Sequence, residues 1–155
     1  MEKKVNYGKH FEEDFIKSIP KHCFTYRFKD AGGWSNATNL RFTSSNICDF
    51  MVFDGEYLHL LELKSVKGKS FSFNNLGSHL KEMVQASTFK NVKSVYIINF
   101  REINKTFVVN ATTMQELILG SKKSVNVKDL EEMKQELIAQ TIKRTRWKYE
   151  FLKEE

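Results

Sequence analysis

Phe11, Phe15, Ile16 and Ile19 recur at three- and four-residue intervals in "YGKHFEEDFIKSI", so residues 7–19 predict an amphipathic helix that Pro20 closes. The next stretch, "HCFTYRF", alternates and is rich in aromatics, which predicts a strand over 22–28. Residues 29–46 carry glycine, serine and asparagine without a period and read as a long loop, a kind usually functional or disordered. In "CDFMVFDGEYLHLLELKS", residues 48–65, two apolar runs flank Asp54-Gly55, the signal of a two-residue hairpin turn. Leu76, Leu80, Met83 and Val84 predict a second helix over 76–90. "SVYIINF", 94–100, is a continuous apolar run of strand length, expected of a strand covered on both faces, and "KTFVVNA", 105–111, is a further strand. From 112 onward the period is helical, first in "TTMQELIL" and then over 127–150, where Leu130, Met133, Leu137 and Ile138 form an apolar stripe. No internal repeat or low-complexity tract interrupts the pattern, so the chain reads as a single domain over 1–155.

The hairpin breaks its own pattern. With a two-residue turn, Phe53 pairs with Glu56 and Asp49 faces Leu60, so Leu60, Glu62 and Lys64 share a face with Asp49. Glu62 becomes the diagonal neighbour of Asp49, about 7–8 Å away between Cα atoms. Two carboxylates so placed can hold one hard divalent cation, Mg²⁺ by preference and Mn²⁺ as the alternative, with water and a substrate oxygen completing its shell. Lys64 projects into the same site and would position the attacking water or neutralise charge developing on a phosphate. The bland alternative is an ordinary surface ion pair. Against it, the shared face begins with Met51, Leu58 and Leu60, and an acidic pair at the end of an apolar face carries a desolvation cost.

Composition narrows the partner. The 155 residues include 25 Lys and Arg against 19 Asp and Glu, a formal charge of +6 that favours a polyanion such as DNA. Cys23 and Cys48 are too few for a disulfide framework and lack zinc-site spacing, which fits a reducing compartment. No apolar run approaches the roughly 18 residues of a membrane span, and no apolar segment follows the first charges, so no membrane contact and a cytoplasmic location are expected. Lys143, Arg144, Arg146 and Lys148 surround Trp147 and Tyr149; they read either as a solvated helix end or as a DNA-backbone contact.

An Asp, a hairpin and then Glu-x-Lys, here "CDF" followed by "ELK", resembles the PD-(D/E)xK nuclease superfamily. "YGKHFEEDF", the Asp49-to-Glu62 spacing, "SFSFNNL" after "ELKS" and the strand "SVYIINF" together resemble RecU-type Holliday junction resolvases, especially short phage forms, over residues 7–115. The resemblance implies an α/β, restriction-endonuclease-like fold: a mixed central sheet flanked by helices, with a helix-strand-strand-strand-helix-strand core; the C-terminal helical extension expected over 112–152 lies outside the resemblance. It implies Asp49, Glu62 and Lys64 as the catalytic set, Glu12 as a further acid near the metal, and Gln85 near the site, although Gln85 needs extra residues ahead of it compared with the usual pattern. Glu12 also reads as a solvated helix residue. The implied enzyme is a homodimer that cuts four-way junctions symmetrically. Alternatives are a less selective nicking or restriction-like duplex nuclease and a noncatalytic DNA-binding accessory protein. The long projection of larger relatives has no obvious counterpart, but Arg27, Lys29, Trp34 and Arg41 lie in its place and could contact phosphates and bases. Lys9, Lys67 and Lys69 complete the set of residues expected at DNA.

Overall fold

In the computed structural model, which describes residues 5–29, 46–137, 139–143 and 146–153, Asn6 caps the first helix by accepting the Lys9 N–H at 3.1 Å. The elements in chain order are α1 (Tyr7–Lys17), β1 (Phe24–Arg27), β2 (Phe50–Phe53), β3 (Leu58–Val66) and β4 (Ser70–Ser72). A 3-10 turn (Phe73–Asn75) leads to α2 (Leu80–Ala86), β5 (Val92–Phe100), β6 (Lys105–Asn110), α3 (Ala111–Leu119) and β7 (Ser124–Asn126). The chain ends with α4 (Val127–Glu132), β8 (Glu136–Leu137), β9 (Ala139–Lys143) and β10 (Arg146–Tyr149). Among the described residues no helix is long and apolar enough to cross a membrane.

The main sheet has the order β1-β2-β3-β5-β6-β8, with β3 and β5 parallel and every other pair antiparallel. This is the mixed, helix-flanked α/β sheet expected. Phe11, Phe15 and Ile19 pack with Val52, Leu61, Leu63, Val95 and Ile97 on one face. Met83, Met114 and Leu130 pack with Tyr96, Ile98, Phe107 and Val109 on the other. Ser94 through Phe100 are all buried, as a strand covered on both faces requires.

Two expected helices are not formed as expected. The second begins at Leu80 rather than 76, because the chain first makes the 3-10 turn and then passes through Gly77 at φ +76°, outside helical space. The 127–150 helix stops at Glu132: Lys134 adopts φ +56°, and the chain then runs extended into β8 and the β9–β10 hairpin. The stripe that suggested one helix is divided between two cores, with Leu130 and Met133 on the α2 side and Leu137 on the α1 side; Ile138 lies outside the described residues. The hairpin docks on α1. Asp14 Oδ2 accepts the Trp147 N–H at 3.0 Å, its Oδ1 meets Arg146 Nη2 at 2.6 Å, and Ser18 Oγ accepts the Tyr149 N–H at 2.9 Å.

Candidate active site

The loop between β2 and β3 holds four residues, Asp54 to Tyr57, not two, so Phe53 pairs with Leu58 and Met51, not Asp49, pairs with Leu60. The cause is the Asp54 carboxylate: Oδ1 accepts the N–H groups of Glu56 (2.9 Å) and Tyr57 (2.7 Å), and Oδ2 meets His59 Nε2 at 2.7 Å. These bonds draw Glu56 and Tyr57 into the turn, with Gly55 at φ +102°. An even change in loop length leaves side-chain parity unaltered, so Leu60, Glu62 and Lys64 still point to the face that carries Tyr96, the register partner of Glu62 on β5.

Asp49 sits where the β2–β3 ladder becomes irregular. Its N–H donates to the Leu61 carbonyl at 3.0 Å, although Leu61 is already the partner of Phe50, and its own carbonyl accepts the Phe28 N–H at 3.0 Å. Its Oδ2 accepts the Leu63 N–H at 2.8 Å, so the carboxylate supplies the acceptor that a continuing strand would have offered. That fixes a second negative charge beside Glu62.

The Glu62 side chain is 12% exposed, and its Oε1 lies 2.7 Å from Lys64 Nζ. Burial raises its carboxyl above the ordinary range, and the Asp49 charge raises it further; Lys64 and His79 pull the other way without cancelling this. Burial, chiefly, and the same two acids push the Cys48 thiol up to about 12, so it stays protonated and donates to the Phe50 carbonyl at 3.2 Å. The Tyr96 hydroxyl is fully buried with no hydrogen-bond partner among the described residues; its acidity is lowered by burial and next by the Glu62 charge. Neither Tyr96 nor His79 was singled out by the sequence reading. The signal for Tyr96 is the parallel register that places it on the Glu62 face.

Because the folded state holds the Glu62 proton more tightly than the unfolded chain does, the metal-free protein loses stability as pH rises from the ordinary glutamate range through the folded-state value. Asp49→Asn removes the like charge and keeps an oxygen for the Leu63 N–H. In EDTA at neutral pH its Tm should therefore exceed that of the wild type by about 2–4 °C, the equivalent of about 1 kcal/mol at this chain length, with a flatter pH dependence. A thermal denaturation series showing an unchanged or lower Tm would show that the pair is not strained.

The other expected residues are scattered. Glu12 Oε2 accepts from Arg27 Nη2 at 3.0 Å, and Arg27 lies 5.7 Å over the Phe50 ring, so this pair occupies the α1 layer, across the sheet from the Glu62 side chain. Gln85 is exposed on α2 and makes no described side-chain bond to Asp49, Glu62 or Lys64. Lys9, Lys29 and Lys69 are exposed, and Lys67 is exposed 3.8 Å from Glu102. Trp34 and Arg41 lie outside the described residues. In the C-terminal basic cluster, Arg146 is engaged by Asp14 and Glu13 and serves the fold, Lys148 is exposed, and Arg144 lies outside the described residues.

Two carboxylates with excess negative charge in a mostly buried setting suit a hard divalent cation. Among the described residues no group of three or more His, Cys, Asp and Glu gathers at one point, so the remaining ligands would be backbone oxygen, water and substrate. The family model RecU, Recombination protein U, matches residues 1–149, well past the stretch ending at 115 that carried the resemblance. The SPbeta prophage-derived uncharacterized protein YotM of Bacillus subtilis (strain 168) is 32% identical over 110 residues, which cover 68% of this chain and 56% of that protein. The chain thus matches little more than half the length of this curated relative. Among solved structures, Archaeoglobus fulgidus Hjc, a Holliday junction resolvase from an archaeal hyperthermophile, aligns with a TM-score of 0.48 and 13% identity, covering 83% of this chain and 90% of that one.

Proposed function

The chain belongs to the RecU, Recombination protein U, family, and from that membership and the Asp49–Glu62–Lys64 group we propose that it is a metal-dependent endonuclease that resolves Holliday junctions or related branched DNA. The carrying observation is the half-buried, like-charged pair Asp49 and Glu62 with Lys64 Nζ at 2.7 Å from Glu62, in the middle of β3. Asp49 and Glu62 would hold Mg²⁺ or Mn²⁺, which when bound supplies Lewis acidity toward a phosphoryl oxygen and acidifies a water.

The chain's own residues do the rest. Asp49 is held in place by the Leu63 amide, which fixes its carboxylate beside Glu62. Lys64 pairs with Glu62 in the resting state and, once a cation takes that place, has its ammonium available for the attacking water or the phosphate. Proton and cation compete for Glu62. Its raised acidity range means that cleavage falls as pH drops through that range. Two copies related by a two-fold axis would present two such sites to the symmetric strands of a four-way junction.

The test is cleavage of a synthetic four-way junction beside a linear duplex of equal length, with Mg²⁺ or EDTA. Paired, metal-dependent cuts in the junction are expected. Equal cutting of both substrates would establish the less selective duplex nuclease, and binding without cutting the accessory protein. Mg²⁺ should also raise the wild-type Tm and leave that of Asp49→Asn unmoved.

A further inference from the structure

A cavity of about 840 Å³ lies on the α1 face of the sheet, away from the carboxylate pair, between α1, the ends of β3 and β5 and the β9–β10 hairpin. On this face the register rows Leu61–Val95–Asn110 and Leu63–Ile97–Val108 are apolar except at the exposed Asn110, and the next row, Ser65–Asn99–Thr106, is polar throughout. Ser65 Oγ donates to Asn99 Oδ1 at 3.3 Å, Asn99 Nδ2 meets Thr106 Oγ1 at 3.0 Å, and Thr106 shares a further bond with the Tyr149 hydroxyl. Asn99 and Thr106 are 8% and 2% exposed, so this is not a sheet end fading into water. A buried polar row costs more than an apolar one unless its capacity is used, and Asn99 still has one amide hydrogen without a described partner.

The walls and rim match this floor. Tyr7, Phe11 and Trp147 supply ring surface, while His10, Lys67 and Arg101 stand at the edge. Of the acids present, Asp14 is engaged by Arg146, and Glu102 accepts the Gly68 N–H beside Lys67. Arg101 reaches over the Tyr7 ring at 5.1 Å and donates to the Ser65 carbonyl at 3.3 Å, spanning the cavity from rim to floor. Aromatic walls, an amide-and-hydroxyl floor and a cationic rim form the combination that reads a nucleotide: rings for the base face, amide for the base edge, cations for the phosphate.

We propose that this cavity takes one unstacked nucleotide of the DNA substrate at its branch point, with the base against Tyr7 and Trp147, its edge on Asn99 and its phosphate on Arg101 and Lys67. The inference rests on the DNA-cleaving reading above. It adds a recognition site behind the cutting site, because Ser65 follows Lys64 directly and successive side chains on β3 point to opposite faces of the sheet. Selectivity for branched DNA then follows from the cost of unstacking, which is lowest where pairing is already interrupted.

The test is photocross-linking in EDTA of full-length protein to a four-way junction carrying 5-iododeoxyuridine either at the branch point or in mid-arm, with the linked peptide identified by mass spectrometry. Cross-links from the branch-point label to peptides containing Tyr7 or Trp147, and few from mid-arm, are expected. Tyr7→Leu, at an exposed ring, and Arg101→Gln, at a half-buried side chain, whose folding circular dichroism verifies, should each lower these cross-links and weaken junction binding about tenfold. A junction that binds in EDTA and is cut in a parallel Mg²⁺ reaction, but cross-links only elsewhere, overturns the cavity assignment and leaves the nuclease reading standing. Free thymidine monophosphate displacing the cross-link as well as a single-stranded oligonucleotide does would assign the cavity to a free nucleotide. A junction that does not bind at all overturns both readings.

Discussion

Asp49→Asn and Glu62→Gln should each lower cleavage of a four-way junction by about 10³-fold or more, while junction binding in EDTA stays within about threefold of wild type. Each change keeps the shape of the side chain and removes one of the two negative charges that would hold the cation. The proposed affinity for DNA would rest on cations distributed over the surface, so it should survive. Unfolding cannot account for such a loss: in Asp49→Asn the amide oxygen still accepts from the Leu63 N–H, and the repulsion that raises the Glu62 acidity range is relieved. Lys64→Ala should cost about 10²-fold, because in the proposed reaction the ammonium would act on charge that develops during reaction and not on binding of the ion. Burst and steady-state rates on one labelled junction measure all three. Undiminished cutting by both acid variants would place the chemistry elsewhere in the chain.

The acid pair was legible because strand parity is robust. A four-residue loop in place of a two-residue one shifts every partner by two and leaves every face alone, so Glu62 and Lys64 stay with Tyr96 and Leu60 whichever turn forms. What local periodicity could not show is long-range. Leu130, Met133 and Leu137 sit at helical spacing, yet Leu137 pairs through β8 with Thr106 and belongs to the opposite core. Gln-Thr-Ile and Arg-Trp-Lys-Tyr, read alone, continue a charged helix; their strand state follows from backbone donors on Trp147 and Tyr149 that find Asp14 and Ser18 some 130 residues earlier. The polar row beneath the cavity is equally invisible in one dimension, since Ser65, Asn99 and Thr106 each lie one residue in from the end of a different strand and become neighbours only through the β3–β5–β6 register.

That dependence of the C-terminal hairpin on one buried carboxylate makes Asp14→Ala the substitution expected to cost the fold most. Asp14 is 5% exposed and serves two donors at once, the Trp147 backbone and the Arg146 guanidinium. Truncating it leaves a partly buried cation and a backbone N–H without their acceptor, a loss of about 3 kcal/mol, which is the low end for a broken buried pair because Glu13 remains 3.4 Å from Arg146. At this length the Tm should fall by about 6–12 °C. Asp14→Asn separates the two contributions, since an amide oxygen can still accept from Trp147 but carries no charge for Arg146, and should lose roughly half as much. Hydrogen exchange should show protection lost first at Trp147 and Tyr149, with the core strand β5 following only on global unfolding. If Asp14→Ala instead moved the Tm by less than about 2 °C, the hairpin would be held by the packing of Tyr149 against Phe11 and Phe15, whose ring centroids lie 5.5 and 5.8 Å from it, and not by the carboxylate.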